Sequence, residues 1–359
     1  MADKLVIYGG RKARAITREQ GLRPELVQAV TGAAGGPKWL ILYELDRFLF
    51  GDFFRDRSEP LRLIGSSIGT WRFATVASDD PRPALARLKN AYIRQRYGDK
   101  PSPAEVSAVA RDILEEVISE AGMARILNHP LFYLNIITVR ETGPVWLRRG
   151  RAAQLAALAG AALGNAVSRK TLRVFFERVV FHHPGDGQLL IEPDDFPVRG
   201  LALNKSNIRP AILASGSIPL VMAGVRDIPG APAGAYRDGG IIDYHLNLPV
   251  PSRPDRLVLF PHYMDRVIPG WFDKKIAWRR ANPSYLDNVL MVAPRPSFIA
   301  TLPYGKIPDR KDFVTFHNRN QDRFDYWEKV ADKSRELAEE FSEAVASGRI
   351  REMVRPFPY

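Results

Sequence analysis

Apolar and polar positions along the chain fall into two alternating rhythms. Residues 27–31 form a short apolar run, residues 32–36 a small-residue turn, and Pro37 opens the apolar stretch PKWLILYELDRFLF. That order predicts a strand, a tight turn and a helix, with Pro in the first helical turn, where its missing N–H costs nothing. The order recurs at once: LRLIG (61–65) reads as a strand, SSI as a turn, and GTWRFATVAS as a helix ending before the Asp-Asp-Pro stretch at 79–81. Residues 101–122 predict the cleanest helix, with Ser102 as N-cap, Glu105 closing a capping box, Val106, Val109, Ile113 and Val117 on one face, and Gly122 as its stop. Further strands are expected at 131–139, 174–182 and 256–260. Strands alternating with helices predict an α/β layered fold around a mainly parallel sheet.

From about residue 266 the chain turns Pro-rich and irregular, then predicts one helix over 322–347, with Trp327, Val330, Ala331, Leu337, Ala338, Phe341 and Val345 on one face and Gly348 as stop. One amphipathic helix cannot build a core of its own. The expected organisation is therefore a catalytic domain over 1–265 with a helical C-terminal extension, 266–359, packed on it.

Composition narrows the chemistry. The 359 residues are 45% hydrophobic and 26% charged, enough to bury a sizeable core. Cysteine is absent, which excludes disulfides, thiolate metal sites and a cysteine nucleophile. The N-terminus carries an apolar run of about five residues, shorter than a signal peptide needs, so a cytoplasmic location is expected. The formal net charge of +12 favours polyanionic partners. No zinc-finger spacing, basic zipper or ribonucleoprotein-type aromatic motif accompanies it, so an anionic membrane surface or an acidic substrate is expected and nucleic acid is not.

Three motifs carry candidate chemistry. Gly65-Ser66-Ser67-Ile68-Gly69 is a G-x-S-x-G pentapeptide set between a predicted strand and a predicted helix, the context that lifts a serine hydroxyl clear at a helix N-terminus. Gly32-Ala33-Ala34-Gly35-Gly36-Pro37-Lys38 gathers backbone N–H groups at a helix start, where they can bind an oxyanion. Pro37 has no N–H, which leaves Gly35 and Gly36 as donors. The run lacks the Gly-Lys-Ser/Thr of a phosphate-binding P-loop. Arg237-Asp238-Gly239-Gly240, followed by Asn247-Leu248-Pro249, sets an acidic residue beside two glycines. Each motif alone can also be an ordinary turn.

Together and in this order, the three motifs resemble the patatin-like phospholipase family. The segment Ala211-Ile212-Leu213-Ala214-Ser215-Gly216-Ser217-Ile218-Pro219 is similar to that family's A-x-x-A-S-x-A-x-P stretch. The resemblance covers about residues 27–250. It implies a three-layer α/β/α sandwich, a serine acyl hydrolase acting on lipid acyl esters, Ser67 as nucleophile, Asp238 as base, and Gly35 with Gly36 as oxyanion hole. Lys38, Gly65, Gly69, Gly239 and Gly240 would complete the motifs. Ala34 and Trp39 stand where the family carries glycines, and the spacer between Gly240 and Asn247 is longer than usual. No metal or organic cofactor is implied.

A carboxylate in hydrogen-bond reach of a serine can take its proton directly if burial raises the carboxylate pKa. Of the six histidines (His129, His182, His183, His245, His262 and His317), His262, just past a predicted strand, is the candidate for a Ser-Asp-His triad instead. A lipid- or partner-binding protein with little or no hydrolase activity is the alternative from another class.

Two surface features bear on substrate access. Arg148, Arg149 and Arg151, then AAQLAALAGAALGNAV, then Arg169, Lys170, Arg173 and Arg178, place basic ends around an apolar middle of about 16 residues, short for a membrane span. A core helix packed through small residues is one reading; a lid or interfacial helix bordering the acyl entrance is the other. Trp271, Phe272, Trp278, Arg279 and Arg280 form a second basic-aromatic patch, read either as lipid-facing or as a solvated face with two anchoring aromatics.

Overall fold

A computed structural model describes residues 3–143, 150–187, 191–192 and 194–358. Its centre is one sheet of β1 (Leu5–Gly9), β2 (Val27–Gly32), β3 (Leu61–Ser66), β4 (Phe132–Glu141), β5 (Phe176–His182), β6 (Val198–Ala202), β7 (Val225–Arg226), β8 (Ala235–Asp238), β9 (Leu257–Pro261), β10 (Val289–Pro294) and β11 (Val354–Pro356). The order is β11-β1-β10-β9-β2-β3-β4-β5-β6, with β8 paired to β4 and β7 to β8. The run from β10 to β4 is parallel, and β1, β5 and β8 join antiparallel. Every residue of β2, β9 and β10 is buried, as expected of parallel strands covered on both faces.

Helices flank the sheet, an arrangement consistent with a three-layer sandwich. They include α1 (Arg11–Gln20), α2 (Tyr43–Phe48), α3 (Ile68–Ser78), α4 (Pro81–Arg94), α5 (Pro103–Val117), α6 (Glu120–Leu127), α7 (Arg151–Val167), α8 (Ile208–Ser215), α9 (Asn320–Lys333) and α10 (Arg335–Ala346). α1 packs on β1, β9 and β10, and α3 on β2, β3 and β4. All of α3 is buried, including Arg72, whose guanidinium holds the buried Asp46 of α2 in a two-point ion pair at 2.5 and 2.6 Å. The bidentate geometry satisfies two charges that could not otherwise be taken out of water.

The structure differs from expectation at several boundaries. The stretch after Pro37 forms a 3-10 turn (Gly36–Leu42), then α2, then a π turn (Leu49–Phe53), in place of one helix. The helix expected over 101–122 ends at Val117; Ser119 then caps α6 by accepting the Gly122 N–H, so Gly122 starts a helix rather than stopping one. Ser102 does cap α5, accepting from the Glu105 N–H at 3.1 Å, but the Glu105 carboxylate accepts from the Gly98 N–H, so the capping box is not closed. The C-terminal helix is two, broken at Ser334, whose hydroxyl accepts the Glu44 N–H and donates to Ala331 O.

The segment after residue 266 does more than pack on a finished domain. β10 lies between β1 and β9, and β11 pairs with β1, so two of its strands belong to the central sheet. A boundary at 265 would cut through that sheet.

Candidate active site

The topology of β4 brings Ser67 to Asp238. On one edge β4 pairs with β3 through Ser66↔Ile137, and on the same edge β8 arrives from the opposite direction through Asp238↔Thr138. The carboxyl ends of β3 and β8 therefore meet head to head, and two residues 171 positions apart touch: Ser67 Oγ donates to Asp238 Oδ2 at 2.7 Å. Both are buried, at 3% and 6% exposure.

Ser67 has φ 55° and ψ −126°, a conformation that L residues avoid, between the end of β3 and the first turn of α3. The flanking glycines are required by close approach. A Cβ on Gly65 would lie 2.5 Å from Thr70 N, and one on Gly69 would lie 1.9 Å from Gly32 O. The second contact presses the elbow against the loop after β2. Ser215 fixes the elbow from the other side. Its hydroxyl accepts the Ser67 N–H at 3.0 Å and the Thr70 Oγ1 proton at 2.9 Å, and donates to Ile137 O at 2.7 Å.

Asp238 Oδ1 accepts the Gly240 N–H at 2.8 Å, which turns the other carboxylate oxygen to the serine. Burial pushes the carboxyl above its ordinary value. The Arg310 guanidinium opposes this most strongly, followed by the hydrogen bonds from Ser67 and Gly240.

The loop after β2 carries the expected oxyanion donors. Gly36 has φ 57°, which favours glycine, and neither the Gly35 nor the Gly36 N–H has an acceptor among the described residues. The loop is held from behind. Ala34 N–H donates to Tyr244 O at 2.9 Å, and Tyr263 OH donates to Ala34 O at 2.6 Å. Tyr263 in turn meets His245 Nε2 at 2.8 Å, while His245 Nδ1 accepts the Ile268 N–H. That acceptor role leaves Nε2 as the protonated, donating nitrogen. Burial keeps His245 neutral, far below the usual imidazole value. A Cβ on Gly35 would strike the Tyr263 ring at 2.7 Å, which ties this glycine to the buried tyrosine.

Two cavities meet at the pair. One of about 300 Å³ is mainly apolar, bordered by Ser67, Trp71, Val106, Ile113, Met222 and Phe313 among others. The other, about 210 Å³, is bordered by Gly35, Lys38, Asp238, Lys274, Arg310 and Lys311 among others. Ile218 and Arg310 border both. Arg310 and Lys274 carried no motif in the sequence. Arg310 is presented by a turn tied to the buried Asp312, which accepts from Asp309 N–H, Trp327 Nε1 and Lys306 Nζ.

His262 is fully buried, places its Nδ1 2.7 Å from Met264 O and stacks on Tyr263; burial lowers its pKa to about 3. It makes no hydrogen bond to Ser67 or Asp238, whose facing oxygens are already engaged with each other. The other imidazoles lie elsewhere: His129 and His183 cap local turns, and His317 faces Asp99.

The segment expected to border the acyl entrance forms α7, behind the turn that carries Trp271 and Lys274. A core role is ruled out by exposure: only Ala161 and Asn165 of α7 are buried, while Leu163 and Val167 are 74% and 87% exposed. The basic flank divides. Arg169 and Arg178 turn inward onto Asp243, Asp273 and Asp194, whereas Arg151, Lys170 and Arg173 face solvent. Arg148 and Arg149 lie outside the described residues. The second basic-aromatic patch also divides: Trp271 borders the polar cavity, Arg279 pairs with Asp273, and Trp278 is exposed. No helix among the described residues is long and apolar enough to cross a membrane.

Fold and site thus define an α/β protein with a strained serine against a buried aspartate at the carboxyl end of its sheet. Compared with models of protein families, with curated proteins and with solved structures, the chain matches none of them.

Proposed function

We propose that this chain is a serine acyl hydrolase of the patatin-like type that cleaves lipid acyl esters through a Ser67–Asp238 dyad. The observation that carries the reading is the 2.7 Å hydrogen bond from Ser67 Oγ to Asp238 Oδ2, made at a strained elbow where an apolar and a polar cavity meet. As Oγ attacks the ester carbon, Asp238 takes its proton, and the Gly35 and Gly36 N–H groups meet the charge that develops on the carbonyl oxygen. The C–O bond to the alcohol then breaks, and the alcohol leaves with the proton from Asp238. Water attacks the acyl-serine carbon, gives its proton through Asp238 back to Oγ, and releases the fatty acid.

The apolar cavity beside Ser67 suits the acyl chain. A membrane surface is the proposed source of substrate. The exposed stripe of α7, Leu155, Ala156, Ala159, Ala162, Leu163, Ala166 and Val167, carries no polar side chain, and Lys170 and Arg173 follow it.

A fluorophosphonate probe tests the chemistry. Labelling of the wild type that vanishes in Ser67→Ala, together with loss of ester turnover in Asp238→Asn and its survival in His262→Ala, is the expected result. No labelling in any form would leave a binding protein, and loss in His262→Ala alone would replace the dyad with a triad.

A further inference from the structure

The polar cavity collects cations that no carboxylate among the described residues meets in a direct ion pair. Lys38, Lys274 and Arg310 border it, yet none of the three has an ion pair or side-chain hydrogen bond among the described residues. Every other feature of these side chains is built. Lys274 Nζ sits 3.8 Å from the Tyr244 ring centre and Lys38 Nζ 4.9 Å from that of Tyr263, so each ammonium group lies over a buried aromatic face. Arg310 is fixed by the Asp312-anchored turn. Lys311 adds a fourth cation, against the carboxylates of Asp238 and Asp309.

The position relative to the dyad assigns the ligand. Asp238 borders this cavity and Ser67 borders the apolar one. The alcohol leaving an acyl ester must collect its proton from Asp238, so it departs on the Asp238 side. A guanidinium fork with two ammonium groups matches the oxygens of a tetrahedral dianion. We propose that Lys38, Lys274 and Arg310 form a subsite for a phosphate monoester carried by the leaving alcohol, which makes acyl esters of a small phosphorylated alcohol the preferred substrate class. Burial, followed by the repulsion of Arg310 and Lys38, lowers the Lys274 pKa to about 7, and a bound anion would relieve that repulsion.

This inference rests on the hydrolase reading, and the test separates the two. Binding is measured by calorimetry on Ser67→Ala, with inorganic phosphate and glycerol 3-phosphate as probes; turnover is measured on acyl-glycerol 3-phosphate and on the neutral monoacylglycerol of the same chain. Expected are tighter binding of glycerol 3-phosphate than of phosphate, and a kcat/KM at least about tenfold higher for the phosphorylated ester. Lys274→Met should shrink that ratio and Lys274→Arg restore most of it. Turnover without preference and without probe binding overturns the subsite while leaving the hydrolase intact. Probe binding lost in Lys274→Met, with no turnover of any ester, keeps the subsite and overturns the hydrolase. Inorganic phosphate bound as tightly as glycerol 3-phosphate would assign the cavity to a free anion and overturn the leaving-group reading.

Discussion

The Ser215 hydroxyl accepts the backbone N–H of Ser67 at 3.0 Å and passes its own proton to Ile137 O at 2.7 Å. One side chain thereby joins Ser67, the end of α8 and the strand β4 that aligns β3 with β8. The Ser67 N–H is consumed by this bond and is not free to meet an oxyanion. Ser215→Ala would leave a buried N–H without an acceptor, at about 1–3 kcal/mol, and would remove what holds the strained φ. Its melting temperature and its rate of fluorophosphonate labelling should both fall; a variant unchanged in both would show that the elbow is held by its glycine packing alone.

Asp238→Asn separates activity from stability. Burial holds the Asp238 pKa above its unfolded value, so the fold favours the protonated carboxyl. That contribution is fully present below the unfolded pKa and is lost as pH rises through the folded one. At neutral pH the wild type carries a charge that its surroundings disfavour. The amide, which can still accept from Gly240, removes it. Turnover should vanish while the melting temperature at pH 7 stays level or rises, as is common where a site is built for chemistry at the expense of stability. A large fall in melting temperature would contradict this.

Much of this site could be read from local sequence. Ser67, Asp238, Gly35 and Gly36 sit in short motifs whose glycines are needed for close approach or positive φ. What local pattern cannot carry is registry between distant segments. β8 is four residues long and has meaning only because it meets β3 along β4. β10 was hidden by the surrounding prolines, although VLMVA, bounded by Asn288 and Pro294, is the kind of continuous apolar run a buried parallel strand shows. Nothing near Arg310 marks it: its importance comes from Asp312 and Trp327 fixing the turn that aims it at Gly36, where a Cβ would lie 3.1 Å from its Nε. Apolar content along α7 leaves both a core helix and an interfacial helix open, because burial depends on what lies opposite, and only Ala161 and Asn165 of that helix are buried.

The pH profile should show two separate signatures. With a neutral ester, the acid limb of kcat/KM reports Asp238 and should lie above the ordinary carboxylate value of about 4. Arg310→Met removes the strongest opposing charge and should move that limb to higher pH. The preference for a phosphorylated ester reports Lys274, which faces Arg310, Lys38, Asp238 and the Tyr244 ring and titrates near about 7, so the preference should decline as pH rises past that value. An acid limb unmoved in Arg310→Met would place the guanidinium outside the field of the base.

Gly36→Ala tests the oxyanion loop. Its φ of 57° costs an L residue about 1–2 kcal/mol, and the added methyl would lie 3.1 Å from Arg310 Nε, which must give way. The loop should shift and its N–H lose aim, lowering kcat by about 10²-fold or more with a smaller change in KM. A change in KM alone would mean that the donor acts on the ground state.

The apolar stripe of α7 should act where the protein meets its substrate. Leu163 and Val167 are exposed, and Lys170 and Arg173 lie just beyond, so the helix combines an exposed apolar face with positive charge, as interfacial helices do. α7 also leans on the turn carrying Lys274, through Asn165 to Asp273 at 2.8 Å and Arg279 to the Asn165 carbonyl, so seating on a bilayer would bring the polar cavity toward the lipid surface. Leu163→Glu with Val167→Glu changes only solvent-facing side chains and should leave the fold intact. The double variant should lose sedimentation with anionic vesicles and turnover of vesicle-borne ester, while hydrolysing a short-chain dissolved ester at the wild-type rate. Equal loss on both substrates would mean that the helix supports the site itself, and unchanged vesicle binding would move the membrane-facing surface elsewhere.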